Sequence, residues 1–308
     1  MELDLDKIDW NAMWQEEAAK SHWHKLSRDG LAHKELWDKR ADRFNRGISR
    51  VIEGTDKVDK EDYVYKMLAR VYVEPDWTVL DIGCGPGTLA IPLAKKVRSV
   101  TALDVSSEML RHLKANAKSS GVSNIRYINA SWEEAIARKQ VGVHDVVVAS
   151  RSLSPVNIKE MLLKLNSVAG QAAYITLPIV HLPFDWEVYR AIGRGGRRHP
   201  AYIYVYNMLY QMGIPTNVEV LRSRVRVQFS SVEEAIEDLQ WRTDPFTPEE
   251  RLKLTEFLEG KFAEAGSPVF THEGRSEWAL IWWQKDGPFK GPARGRRRGE
   301  SRPGKRGR

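Results

Sequence analysis

A chain of 308 residues with 42% hydrophobic content suits one large domain or two small ones and has the make-up of a soluble globular protein. Its one cysteine, Cys84, leaves no internal disulfide and no cysteine-cage metal or iron–sulfur site, which excludes radical chemistry on a three-cysteine cluster. The net charge of +7 is concentrated: nine Lys/Arg against Glu300 lie between Lys290 and Arg308, +8 in that stretch, so the remainder of the chain carries −1.

The start, Met1-Glu2-Leu3-Asp4, is acidic where a signal peptide is basic, and no run of 18 apolar residues occurs, so a cytoplasmic chain with no membrane partner is expected. Residues 1–52 read as an N-terminal helical cap. Trp10 and Trp14, then Leu36, Trp37, Ala41, Phe44 and Ile48, recur at helical spacing, either as a packing face or as a cover over a small-molecule site. Residues 53–180 form the expected core. It opens with a helix over Glu61–Val73 that stops before Pro75.

Strands then alternate with helices. Strands are expected at Thr78–Ile82, Ser99–Leu103, Ile125–Ile128, Val143–Ala149 and Ala172–Leu177, with helices at Thr88–Lys96, Ser107–Ser120, Trp132–Arg138 and Asn157–Val168. This rhythm predicts an α/β fold with a doubly wound, mostly parallel sheet covered on both faces. Residues 181–216 read as an aromatic insertion that lids an acceptor site, with core packing of the same aromatics as the alternative. Residues 217–286 return to the core, with strands at Val218–Phe229 and Trp278–Trp283 and helices at Ser231–Trp241 and Pro248–Ala265. Ser231/Glu234 and Thr247/Glu250 stand at capping-box spacing. Residues 287–308, rich in Gly, Arg and Pro, are expected to be a disordered basic tail.

The chemistry concentrates at Asp81-Ile82-Gly83-Cys84-Gly85-Pro86-Gly87-Thr88. A glycine-rich turn between strand and helix lets a ligand approach the backbone. Thr88 occupies the place where a dinucleotide fingerprint has its third glycine, and Asp81 sets a carboxylate where a pyrophosphate would be repelled. A cationic cofactor such as S-adenosylmethionine, with its ammonium and sulfonium, suits that charge. Asp104, ending the second strand, suits ribose hydroxyls and so marks a nucleoside without saying which one.

Val79-Leu80-Asp81-Ile82-Gly83-Cys84-Gly85-Pro86-Gly87-Thr88 resembles motif I of class I, Rossmann-like S-adenosylmethionine-dependent methyltransferases. Ala102-Leu103-Asp104-Val105-Ser106 resembles the acidic loop that follows it. The resemblance runs from about Tyr63 to Leu177 and takes in the terminal strands. It implies a seven-stranded sheet whose seventh strand is antiparallel, with S-adenosylmethionine across the carboxyl ends of strands one to four. The cofactor would meet Asp81 near its amino group, Gly83, Cys84, Gly85 and Gly87 around its methionyl part, and Asp104 and Val105 at the ribose. Ser131 and Trp132 would wall the adenine, and Ser150 would close the site. Many relatives carry an aspartate where Ser131 stands, and a core-filling aromatic is the alternative role for Trp132. Cys84 reads as a small buried residue, so methylation of a pyrimidine C5 through a cysteine adduct lacks its nucleophile.

Methyl transfer from a sulfonium is an in-line displacement that asks the protein chiefly to align the acceptor. The stretch Ser150-Arg151-Ser152-Leu153-Ser154-Pro155 lacks the Asn/Asp-Pro-Pro-aromatic tetrapeptide found in enzymes that methylate amino groups of adenine or glutamine. Arg151 offers a cation to a carboxylate or phosphate, or is a solvent-facing arginine. His181 is the candidate general base, or a loop histidine without a catalytic part. No carboxylate cluster beyond the cofactor acids suggests a metal. The first reading is therefore methylation of a small molecule. RNA methylation through Arg194, Arg197, Arg198 and the tail comes second, followed by a non-catalytic sensor of the cofactor and by an NAD-dependent oxidoreductase.

Overall fold

The computed structural model describes residues 7–21, 30–46, 62–153, 157–180, 183–195 and 201–285. Its centre is a seven-stranded sheet in the order β3-β2-β1-β4-β5-β7-β6. The strands are β1 (Thr78–Ile82), β2 (Ser99–Asp104), β3 (Ile125–Asn129), β4 (His144–Ala149), β5 (Ala169–Val180), β6 (Thr216–Phe229) and β7 (Phe270–Gln284). β1 to β5 pair in parallel, and β7 runs antiparallel to both β5 and β6. The short central strands are buried on both faces, which is why they read as unbroken apolar runs.

Helices cover both faces. α1 (Trp10–Lys20), α2 (Gly30–Arg46) and α3 (Tyr63–Leu68) precede β1. α4 (Ala90–Ala94), α5 (Ser107–Ser119), α6 (Trp132–Ala137) and α7 (Ile158–Val168) fill the crossovers. α8 (Pro183–Ala191), α9 (Tyr202–Gln211), α10 (Val232–Arg242) and α11 (Pro248–Ala265) complete the described chain. One face of the sheet packs Leu80, Val147 and Ile175 against α1, α6, α7 and α9. The other packs Val79, Val100 and Val148 against α3, α4 and α5. A third cluster joins α8, α10 and α11 to Phe229 and Phe270 at the far ends of β6 and β7.

The terminal strands are longer than their apolar pattern indicated. β5 pairs with β7 as far as Val180↔Glu277, whereas β6 and β7 continue to Phe229↔Phe270. They run past β5 as a two-stranded ribbon with Arg224, Arg226 and Arg275 exposed; β6 matches the expected Val218–Phe229 within two residues, whereas Phe270–Glu277 of β7 lies outside the expected Trp278–Trp283. The segment expected as a lid is helical where described, and most of its aromatics are core. Phe184 and Tyr189 are buried in the third cluster, and Tyr202 and Tyr204 lie against the first, while Trp186 and Tyr210 face solvent.

Candidate functional site

The strand order reverses between β1 and β4, and in open α/β sheets ligands bind beyond the carboxyl ends of strands at such a point. The loop 83–87 leaves β1 there. The N–H groups of Gly83 and Cys84 both donate to the Leu103 carbonyl, at 2.8 and 3.1 Å, which ties the loop to the end of β2. Gly83, Gly85 and Gly87 have φ of +67°, +53° and +101°, a region that glycine enters without strain. A Cβ at Gly83 would strike Ser152 and one at Gly87 would strike Leu113, both at 2.3 Å, but nothing lies within 4 Å of a Cβ at Gly85. Two of the glycines are therefore demanded by protein packing, and the third borders open space.

Asp104 reaches across to this turn. Its Oδ2 accepts from Gly85 N at 2.8 Å and its Oδ1 from Ser106 N at 2.9 Å. A carboxylate has further lone pairs for hydroxyl donors. Behind it Asn129 donates to the carbonyls of Asp104 and Val105, both at 3.0 Å, which fixes the acidic loop against the end of β3. Asp81 is buried under the turn. Its Oδ2 has no hydrogen-bond partner. Burial, then the charge of Asp104, pushes the Asp81 carboxyl up to about 7; burial pushes Asp104 up to about 6. Burial also drives the Cys84 thiol well above its ordinary value, so that sulfur is no nucleophile.

These groups fit S-adenosylmethionine. An orphaned buried carboxylate oxygen calls for a cationic donor, the space over Gly85 leaves room for a ligand against the backbone, and Asp104 keeps acceptor capacity at the next strand.

The remaining residues singled out from the sequence divide. Ser131 and Trp132 begin α6, next to Ala130, whose N–H bonds the Asp104 carbonyl at 3.1 Å. Ser131 is committed to a capping box with Glu134, and the Trp132 ring is buried in the first cluster with its Nε1 unpartnered. Ser150 and Arg151 follow β4 on the other side of the turn, where Ser152 Oγ donates to the Ile82 carbonyl at 2.6 Å. His181 lies outside the described residues, as do Arg197, Arg198 and the basic tail.

Two contributors carried no sequence signal. Asp38 of α2 accepts from Ser106 Oγ at 2.6 Å and from Glu108 N at 3.2 Å, and pairs with Lys34 at 2.7 Å. Burial works against its ionisation, yet Lys34, Ser106 and Glu108 hold its carboxyl below the usual range. Asn45 of the same helix meets Asn116, which donates to the Pro86 carbonyl of the glycine turn, so α2 braces both cofactor loops. Tyr63 of α3 is the second. Its hydroxyl bonds Ser150 Oγ at 2.7 Å and Thr176 Oγ1 at 2.8 Å, and no motif marked it across so long a stretch of chain.

Comparison with known proteins agrees with this geometry. A family described as a methyltransferase domain matches residues 79–169. A Haemophilus influenzae protein described as uncharacterized is 34% identical over 225 residues, 73% of this chain and 82% of that one. A 23S rRNA (uracil(1939)-C(5))-methyltransferase of Aliivibrio fischeri is 33% identical over 79 residues, and a ubiquinone biosynthesis O-methyltransferase of Erwinia tasmaniensis 35% over 103. The chain spans only 18% and 42% of the lengths of those two. The solved structure of the YcgJ protein from Bacillus subtilis superposes with a TM-score of 0.50 at 15% identity, over 73% of this chain and 98% of that one, and shares the fold. An orphaned carboxylate beneath a glycine turn, a second one at the end of β2, the 3-2-1-4-5-7-6 sheet and these matches lead to one conclusion: the chain belongs to the class I, Rossmann-like S-adenosylmethionine-dependent methyltransferases and is an enzyme of that family.

Proposed function

We propose that this enzyme methylates a small molecule, with Asp81 meeting the cofactor's ammonium, Asp104 and Val105 the ribose, the turn Gly83, Cys84, Gly85 and Gly87 the methionyl part, and Ser131 and Trp132 the adenine. When bound, S-adenosylmethionine supplies an electrophilic methyl on sulfur. That methyl would be open to in-line displacement by an acceptor heteroatom, with S-adenosylhomocysteine as the leaving group. The chain's own part is to hold the acceptor in line and keep water out.

The observation that carries the acceptor class is the wall beside the turn. Ser150, Thr176 and Tyr63 form one hydroxyl cluster beside the Trp278 ring, with the Arg151 guanidinium over the Tyr63 ring as the cation next to it. Where the acceptor needs a proton removed, His181, which follows β5 in the sequence, is the proposed base. Pyrimidine-C5 chemistry through a cysteine finds no support, since the only cysteine is buried with its thiol raised. A second reading, an RNA acceptor, is favoured by the β6–β7 ribbon, where Arg224 and Arg275 face each other across the strands although like charges so placed destabilise a sheet unless an anion joins them.

Methyl-labelled S-adenosylmethionine and a cell extract divided into small-molecule and RNA pools decide between the two. Label is expected in the small-molecule pool. Label confined to RNA overturns the first reading.

A further inference from the structure

Arg151 has a left-handed backbone, φ +56°, a conformation that crowds any side chain with a Cβ and that glycine would adopt freely. A loop that only had to turn would have no use for arginine there. The conformation is held from all sides. Arg151 N donates to Thr176 Oγ1 at 2.9 Å, Ser150 Oγ bonds the Tyr63 hydroxyl, and Ser152 is tied to Ile82. The guanidinium carbon lies 4.2 Å from the centroid of the Tyr63 ring and 6.0 Å from that of Trp278, with the two rings edge to face at 5.9 Å.

A guanidinium laid on aromatic faces keeps its plane fixed and its N–H edges open for bidentate bonds. Among the described residues no carboxylate pairs with it; its contacts are rings. It also stands next to the glycine turn, because its neighbour Ser152 bonds the Ile82 carbonyl and packs against Gly83. The buried Tyr63 hydroxyl, raised first by burial, is lowered by the charge of Arg151 and raised by that of Asp81, so both charges act on one oxygen.

We propose that Arg151 is an anion-binding residue that receives a carboxylate of the methyl acceptor, which makes the acceptor a carboxylate-bearing small molecule. This builds on the small-molecule reading. One other molecule at the site carries the same group, the cofactor's own methionyl part, and the test separates the two sources.

The test compares full-length wild type with Arg151→Gln and Arg151→Lys. By calorimetry, S-adenosylhomocysteine and 5′-methylthioadenosine, which lacks the carboxylate, are titrated into each, and benzoate is then titrated into the S-adenosylhomocysteine complexes. Initial rates with labelled S-adenosylmethionine are measured on small-molecule extract parted by anion exchange. The anionic fraction is expected to accept methyl; Arg151→Gln lowers that rate tenfold or more, with Arg151→Lys in between. S-adenosylhomocysteine affinity stays within twofold, and benzoate binds at least fivefold more weakly to Arg151→Gln. A tenfold loss of S-adenosylhomocysteine affinity with 5′-methylthioadenosine unaffected gives the carboxylate to the cofactor and overturns the acceptor assignment. Equal benzoate affinity and equal rates overturn the anion site. Label appearing only in RNA defeats the small-molecule reading, and the benzoate comparison then still judges Arg151 by itself.

Discussion

Asp81 is the residue where folding and binding pull in opposite directions. Its carboxyl is held near pH 7 by burial, against an ordinary value near 4 in the unfolded chain. The folded state therefore keeps a proton that the unfolded state has lost, and stability falls as pH rises between those values. Asp81→Asn should flatten that decline and raise the melting temperature of the ligand-free enzyme at pH 8. An equal decline in the variant would show that another group causes it. A cationic ligand prefers the ionised form, so cofactor affinity should weaken as pH drops through about 7 and then about 6, where Asp81 and Asp104 take up protons; calorimetry across that range measures it. Both carboxylates were legible as residues, because they stand at fixed offsets from the glycines. The left-handed φ of Arg151 was not, because the bonds that impose it come from Tyr63 and Thr176, which lie far away in sequence.

Among the elements, β1, β2 and β4 were readable nearly to the residue, since burial on both faces leaves apolar side chains through most of their length. β7 was seen only from Trp278 to Trp283, because its first half, Phe270–Ser276, lies in the ribbon beyond β5, where polar side chains such as Glu273 and Arg275 face water. α2 was visible as a helix and its docking was not. Among its described side chains the one buried hydrophobic residue is Ala41, and polar bonds tie it to distant partners: Asp38 to Ser106 and Glu108, and Arg40 and Arg43 to the buried Asp238 of α10. Asp38→Ala frees the Ser106 hydroxyl and the Glu108 N–H, a loss of about 1–2 kcal/mol in stability for a part-buried site. It should weaken S-adenosylhomocysteine binding several-fold with kcat little changed, since α2 braces the acidic loop and leaves the acceptor wall alone. A fall in kcat at unaltered affinity would contradict that division of labour.

For the whole molecule, ligand binding should register as stability. At a hundredfold excess over Kd a ligand adds about 2.7 kcal/mol, worth roughly 4 °C for a chain of this size. S-adenosylhomocysteine should therefore raise the melting temperature by that amount, NAD should not, and Asp104→Ala should abolish the shift. The mean charge of the chain misdescribes its body. Deleting residues 288–308 removes the +8 stretch and leaves −1. That truncation is expected to keep cofactor affinity and to lose any salt-sensitive RNA binding; RNA affinity that survives it would place the contacts on the ribbon. Among the described residues no helix is long and apolar enough to cross a membrane.

The ribbon has one more consequence. β6 is the last strand of the sheet among the described residues, an edge of the kind that pairs with a neighbouring chain, and Lys66 Nζ occupies only its Arg222 carbonyl, at 2.6 Å. Arg222, Arg224 and Arg226 set three charged side chains along that strand, two of them paired with Glu277 and Glu273 of β7. Whatever else they bind, they act as guards against edge-to-edge association, and a chain with valine at all three positions should scatter light at concentrations where the wild type stays clear.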